Sequence, residues 1–240
     1  MRKFLFDKVP VDIVSLEEIL NLFEERLVNN LGLRIITLNP EMVMFAMRNN
    51  DVSYRMLETF NRADLIVPDG IGIAFFLNTK RVCGIDLIPY FLEICKRHKR
   101  GIYLVGSSNE VVQTLSEKFL KMGIDVVGYE NGYFENFKPS LGRIVSSNAS
   151  FVLAAMGFPK QELFLNELFS IKPNIIGMGV GGSFDVLSGK KKRAPKIFIS
   201  LGLEWLYRLI SEPKRAKRML VLPKFAILAL FWKIKKFFRR

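Results

Sequence analysis

The chain has 240 residues, half of them apolar and a quarter charged, and a formal net charge of +13. That length and balance fit one main globular core with a smaller appended element and exclude a disordered chain. Two cysteines, Cys83 and Cys95, with no Cys-x-x-Cys spacing, exclude a disulfide scaffold and a cysteine-built zinc site, and they fit a reducing compartment.

The basic excess is confined to one end. Residues 1–185 carry 20 Lys and Arg against 21 Asp and Glu, whereas residues 186–240 carry 16 against 2. Such asymmetry points to an anionic partner for the C-terminal quarter.

In chain order, Met1 to Phe6 opens like a signal peptide, but Asp7, Lys8 and Asp12 interrupt the apolar stretch, so that reading is rejected. Ser15 with Glu18 forms a capping box, and Leu16, Ile19, Leu20, Phe23 and Leu27 then recur at helical spacing. Residues 33–38 read as a buried strand, and Asn39-Pro40 opens a helix. Residues 65–67 are a strand and 70–77 a helix. Asp86 caps a helix that runs to about Lys96. Strands at 102–105 and 124–127 flank a helix that is capped by Ser107 or Ser108 and ends near Met122. A strand at 151–156, a helix at 159–169 and a strand at 174–178 complete the alternation. Strands alternating with helices predict an α/β fold, a Rossmann-like parallel sheet covered by helices, with its active site at the carboxyl ends of the strands. Past residue 193 the pattern turns helical, at 201–210 and 215–240, which sets a core of residues 1–193 and an appendage of residues 194–240.

Four strand ends carry polar groups that could meet a ligand. Thr37 and Asn39 flank a strand-to-helix junction, although Asn39 also suits a plain cap. Asp69 stands between Pro68 and Gly70 and reads equally as a helix cap or as a general base towards an acceptor hydroxyl. Lys160 and Gln161 occupy the first turn of a helix, where the dipole disfavours a lysine unless a phosphate compensates; the other reading is a solvated lysine. Gly179, Gly181, Gly182 and Ser183, followed by Asp185, form a glycine-rich loop that could cradle phosphate, but its spacing is not the dinucleotide fingerprint. Lys190 to Arg193 adds four successive cations, either beside a polyanion or as a solvated face. The single histidine, His98, lies among Lys and Arg and suits neither a metal site nor a triad. No P-loop and no Asp-x-Asp pattern is present, so no metal and no cofactor is expected, and a leaving diphosphate would have to be stabilised by cations and backbone N–H groups.

Residues 213–240 contain ten cations, no acid, and interleaved Phe225, Ile227, Leu228, Leu230, Phe231, Trp232, Ile234, Phe237 and Phe238. The apolar run at 225–232 is too short to cross a bilayer, which needs about 20 residues. A basic amphipathic helix with aromatics suits an anionic membrane surface. A nucleic-acid arm fits the apolar content less well, and a helix buried in a homo-oligomer is the remaining alternative.

Taken together and in order, Thr37-Leu38-Asn39-Pro40, residues 63–72 around Pro68-Asp69-Gly70, Arg81-Val82-Cys83-Gly84-Ile85-Asp86-Leu87, Gly157-Phe158-Pro159-Lys160-Gln161-Glu162, residues 179–189, Arg193-Ala194-Pro195, residues 201–208 and Glu212-Pro213-Lys214-Arg215 resemble the WecG/TagA/CpsF glycosyltransferase family. The resemblance implies an inverting, metal-independent transferase. It would take an N-acetylmannosamine-type sugar from a UDP donor to N-acetylglucosamine on a polyprenyl diphosphate, for teichoic acid or another surface polysaccharide. It makes Asp69 the base, puts Thr37 and Asn39 in the substrate pocket, and has Arg208, Arg215 and Arg218 contact the diphosphate. Arg81 falls within a matching segment and is counted with the substrate-binding residues. The implied location is cytoplasmic, on the inner face of the cell membrane, with no nucleic-acid partner. A non-catalytic module that binds nucleotide-sugar or polyanions and tethers a partner to the membrane is the rival reading.

Overall fold

The computed structural model describes residues 1–212 and 220–238. The segment that opens like a signal peptide is an antiparallel hairpin, β1 (Arg2–Leu5) and β2 (Val9–Asp12). Its turn holds Phe6 and Asp7 at positive φ, 52° and 58°. One of the charges that interrupt the apolar run, Asp12, fixes the hairpin. Asp12 takes both ends of the Arg2 guanidinium at 2.8 Å and also accepts from the Ile66 N–H at 2.9 Å. One carboxylate thereby satisfies an edge-strand donor that would otherwise be buried without a partner.

Helix α1 (Leu16–Val28) begins with both bonds of the expected capping box, and Ile19, Phe23 and Leu27 form its buried face. Then follow β3 (Leu33–Leu38), α2 (Pro40–Ala46) and α3 (Asp51–Asn61). Helix α3 has no counterpart among the elements expected from the sequence. Its cap, Asn50, and its inward residues Ser53, Met56 and Phe60 were hidden by a polar average. After β4 (Leu65–Pro68) and α4 (Ile71–Leu77), helix α5 (Gly84–Arg97) starts three residues earlier than expected. Cys83 stands at its cap position, and Asp86 lies inside the first turn.

Strand β5 (Gly101–Gly106), α6 (Asn109–Lys121, capped by Ser108) and β6 (Val126–Glu130) come next. Strand β6 sits about two residues later than the apolar run suggested. Helix α7 (Lys138–Ser146), also unanticipated, leads to β7 (Ala149–Ala155), α8 (Lys160–Ile171) and β8 (Ile176–Gly179). The remaining described elements are helical: α9 (Ser183–Leu187), α10 (Lys196–Ser200), α11 (Glu204–Ser211) and α12 (Val221–Phe237).

Six strands form one parallel sheet in the order β4-β3-β8-β7-β5-β6. On one face Phe23 stacks on Phe91 at 4.0 Å between ring centres, and both meet Phe151 edge-on. The apolar cluster that joins the hairpin, α2 and α4 also contains Phe225 and Ala229 of α12. Phe6 meets Phe225 and Trp232 edge-on, and Trp232 Nε1 donates to Asp7 Oδ2 at 3.1 Å. Helix α12 is therefore clasped by the hairpin turn. Burial of Phe225 contributes about 2–3 kcal/mol to that contact. No described helix is long and apolar enough to cross a membrane.

Candidate active site

Parallel register places the first two strand ends side by side. Leu38 pairs with Pro68, so Asn39 and Asp69 leave the sheet as neighbours, and the Asp69 N–H donates to the Leu38 carbonyl at 2.9 Å. Asn39 caps α2 through its Oδ1, which accepts from Met42 N at 3.1 Å. Gly70 is required by this proximity, since a Cβ there would lie 2.4 Å from Cδ of Pro40. Thr37 is buried and donates to the Gly179 carbonyl at 3.1 Å, tying β3 to the end of β8.

Asp69 is held from the other side by Arg81. Arg81 Nε donates to the Asp69 carbonyl at 3.1 Å, and Nη2 lies 3.9 Å from Asp69 Oδ1 and 2.8 Å from Glu204 Oε2. Burial works against the Arg81 charge, but the Glu204 hydrogen bond and the nearby carboxylates outweigh it and raise its pKa. The Asp69 carboxylate keeps 28% exposure while Glu204 is buried at 5%, so Asp69 is the acid of this pair that faces solvent. Burial, with Asp69 alongside, pushes the Cys83 thiol up to about 12, which leaves it an inert apolar group. Asp86 binds Arg193 through two contacts, at 2.6 and 2.9 Å. Burial opposes that charge, yet the Arg193 bonds hold the Asp86 carboxyl below its ordinary range.

Gln161 organises the middle of the sheet edge. It is buried, and its Oε1 accepts from Gly157 N at 3.1 Å and from Gly181 N at 3.0 Å. Its Nε2 donates to Glu162 Oε1 at 2.8 Å. Gly179 makes room for this amide, because a Cβ there would lie 2.4 Å from Gln161 Nε2. Glu162 is buried, which pushes its carboxyl up to about 7. The Ser183 N–H and hydroxyl both donate to the Val180 carbonyl, so the glycine-rich loop is shaped by bonds of its own.

Between β5 and β7 the connections diverge, one to β6 and the other to β8, which makes the crevice where open α/β sheets bind ligands. Gly106 (φ +137°) and Ser107 (φ +55°) stand at the end of β5 beside it. Ser107 Oγ donates to Asp185 Oδ1 at 2.7 Å, and Lys191 Nζ lies 3.2 Å from Asp185 Oδ2.

A profile of the glycosyl transferase WecG/TagA/CpsF family matches residues 4–239. The chain belongs to this glycosyltransferase family. Two relatives carry the name N-acetylglucosaminyldiphosphoundecaprenol N-acetyl-beta-D-mannosaminyltransferase. The one from Bacillus spizizenii (strain ATCC 23059 / NRRL B-14472 / W23) is 35% identical over 84% of this chain and 80% of its own length. The one from Bacillus subtilis (strain 168) is 34% identical over 83% and 80%.

In this glycosyltransferase the structure gathers Thr37, Asn39, Asp69 and Arg81 at the ends of β3 and β4. It sets Gln161, Gly179, Gly181, Gly182, Ser183 and Asp185 along the adjoining loops. Lys160 points elsewhere. Its ammonium donates to the carbonyls of Gly132, at 2.9 Å, and Phe134, and lies over the Phe134 ring, which explains a lysine in a helix first turn without a phosphate. Three of the four successive cations are paired within the chain: Lys190 with Glu110, Lys191 with Asp185 and Glu212, and Arg193 with Asp86. Arg215, Arg218 and the side chain of Arg208 lie outside the described residues. From sequence, Ser107 has only a capping role, and Glu162 and Glu204 have none. Ser107 carried a signal in the Gly106-Ser107 turn after a strand. Glu204 carries none, because its partner Arg81 is 123 residues away, and nothing local marks Glu162, whose partner is the adjacent Gln161, as buried.

The rim beside Asp69 is apolar. Helix α4 follows Gly70 directly and leaves Ile71 and Phe75 exposed, Phe75 at 84%. Gly202 packs on Ile71, with Ile197 and Leu201 exposed nearby in sequence, and Gly72 packs on Phe225 of α12, whose outer surface shows Ile227, Leu230 and Phe231.

Proposed function

We propose that this glycosyltransferase moves an N-acetylmannosamine-type sugar from a UDP donor to N-acetylglucosamine on a polyprenyl diphosphate, with inversion and without a metal ion. The observation that carries the reading is the Asp69 carboxylate: partly exposed at a strand end, next to Asn39, and steadied by Arg81. Asp69 takes the proton of the acceptor hydroxyl as that oxygen attacks the anomeric carbon. The bond from that carbon to the UDP oxygen breaks on the opposite face, and UDP leaves with its electron pair. The donor lies over the crevice of Ser107 and Asp185 and the loop of Gly181 to Ser183. Arg208, Arg215 and Arg218 offset the charge that develops on the diphosphate. Both relatives are named for transfer to a diphosphoundecaprenol-linked sugar, which supports the lipid acceptor.

The appendage, residues 194–240, docks the enzyme on the inner face of an anionic membrane. The apolar rim of α4, α10 and α12 and the excess of cations past residue 193 support this placement. The test offers a panel of UDP-sugars with a short-chain lipid-diphosphate N-acetylglucosamine and identifies the product by mass. Asp69→Asn should abolish turnover while UDP affinity is kept. Undiminished turnover in that variant removes Asp69 as the base, and absence of any product with the wild type leaves the binding-module reading.

A further inference from the structure

We propose that Glu162 is a positioning residue for sugar transfer: it sets the direction of the Gln161 amide, which in turn fixes the two glycine corners of the donor wall. The inference rests on the transferase reading above. A glutamine amide has nearly the same shape either way round, so only its partners determine which end is oxygen. Two backbone N–H groups, from Gly157 and Gly181, converge on Gln161 and require an acceptor there. Glu162 Oε1, 2.8 Å from Nε2, accepts from the amide on the opposite side. Reversal of the amide would put its NH2 against two N–H groups and its oxygen against a carboxyl oxygen, so the three bonds stand or fall together.

Burial opposes the retention of an acid at this position. Glu162 is 5% exposed, and its second oxygen, Oε2, is buried without a hydrogen-bond partner. A carboxyl held there at such a cost, touching a buried amide that spans two loops, has a task beyond packing. The two corners it governs face open space. Gly157 and Gly181 hold φ at +78° and +50°, and a Cβ on either would meet nothing within 4 Å. They leave the ends of β7 and β8, neighbours in the sheet, on the β7 side of the crevice between β5 and β7. Gly179 completes the device, as its missing side chain lets Gln161 and Glu162 approach the last turn of β8, where a Cβ would be 2.4 and 2.9 Å from them.

The experiment compares the full-length Glu162→Gln and Glu162→Met variants with wild type. Glutamine retains an acceptor for Gln161 Nε2, whereas methionine fills the space without one. Transfer is assayed with UDP-N-acetylmannosamine and a short-chain prenyl-diphosphate N-acetylglucosamine. Amide hydrogen exchange at Gly157 and Gly181 is followed by NMR in the same proteins. The methionine variant should lose ~10–100-fold in kcat with a smaller change in acceptor KM, and both glycine amides should lose protection. The glutamine variant should recover most of the activity and the protection. The proposal is overturned by a methionine variant that keeps wild-type kcat or protected glycine amides, or by a glutamine variant as impaired as methionine. It is equally overturned if the loss merely tracks a fall in folded protein, read as melting temperature. Exchange reports on the amide whether or not sugar moves, so failure of the wild type to make product would count against the transferase reading and leave the Glu162 result to stand alone.

Discussion

Gly70→Ala is a clean steric test of the site, because alanine can adopt the backbone of this residue. Gly70 sits at φ −97°, ψ 134°, an extended conformation open to any residue. The added methyl would lie 2.4 Å from Pro40 Cδ and 3.3 Å from Pro40 Cγ. Carbon atoms pack at about 3.5–4.0 Å, so the two chains must part by about 1 Å. The proline ring cannot swing aside, since it is locked to the backbone at the start of α2. The shift therefore falls on the main chain of Asn39-Pro40 and Asp69-Gly70, the pair that sets the carboxylate. Overpacking of this kind costs about 1–3 kcal/mol, and a displacement of about 1 Å at a reacting group costs ~100-fold in rate. The expected variant is folded, melts a few degrees lower, and has a kcat reduced by ~10–100-fold while UDP binding is largely retained. Calorimetric melting and a radiolabel transfer assay measure both. A Gly70→Ala enzyme with wild-type kcat would refute the claim that the spacing of these two loops governs the chemistry.

Phe225→Ala should lower stability by about 3–5 kcal/mol, because the ring is buried against Phe6 and Phe76 and nothing nearby can fill the space. Thermal unfolding would show it as a fall in melting temperature, and a change below about 1 kcal/mol would mean that α12 is not seated on the core. Glu204→Ala removes the 2.8 Å partner of a largely buried Arg81 and should cost about 1–3 kcal/mol in denaturant unfolding, with a loss of kcat because Arg81 also holds Asp69. The Glu162 carboxyl, raised by burial to about 7 from an ordinary value of 4.5, binds its proton more tightly folded than unfolded. Its contribution is therefore fully present below about pH 4.5 and lost as pH rises through 7. Wild type should lose stability relative to Glu162→Gln between pH 5 and pH 8, by on the order of 3 kcal/mol, in denaturation series at fixed salt. A pH-independent difference would refute the assignment.

The parallel sheet was legible because its strands are buried on both faces and read as short apolar runs between capped helices. Leu33–Leu38 and the Asn39-Pro40 start were placed to the residue. The hairpin at residues 2–12 was not legible, since its register depends on Asp12 reaching Arg2 and the Ile66 N–H, and a local pattern carries no trace of a partner 54 residues away. Helix α5 starts at Gly84 rather than beyond Asp86 because Asp86 is drawn to Arg193, 107 residues on, and does not turn back to cap its own helix. The strand-end positions of Asn39, Asp69 and Gly70 are legible because junctions between strand and helix announce themselves in glycine, proline and asparagine. Lys160 was assigned to a phosphate because the dipole argument is sound; the structure meets the same requirement with two carbonyls and a ring.

The placement of Asp69 links chemistry to surface more closely than separate motifs suggested. Gly70 follows the carboxylate, and α4 begins one residue later with Ile71 and Phe75 turned outward. Arg81, after the same helix, returns to the Asp69 carbonyl and reaches Glu204 on α11. A single stretch from 69 to 81 thus carries the proposed base, part of the proposed membrane rim, and the ion pair to the C-terminal helices. Tilting α4 against a lipid surface would act on both ends of that stretch, through Gly70 against Pro40 and through Arg81 against Glu204. The Arg81–Glu204 pair is short and charged, and the Pro40 ring beside Gly70 is fixed to its backbone, so a small displacement of α4 would reach the carboxylate.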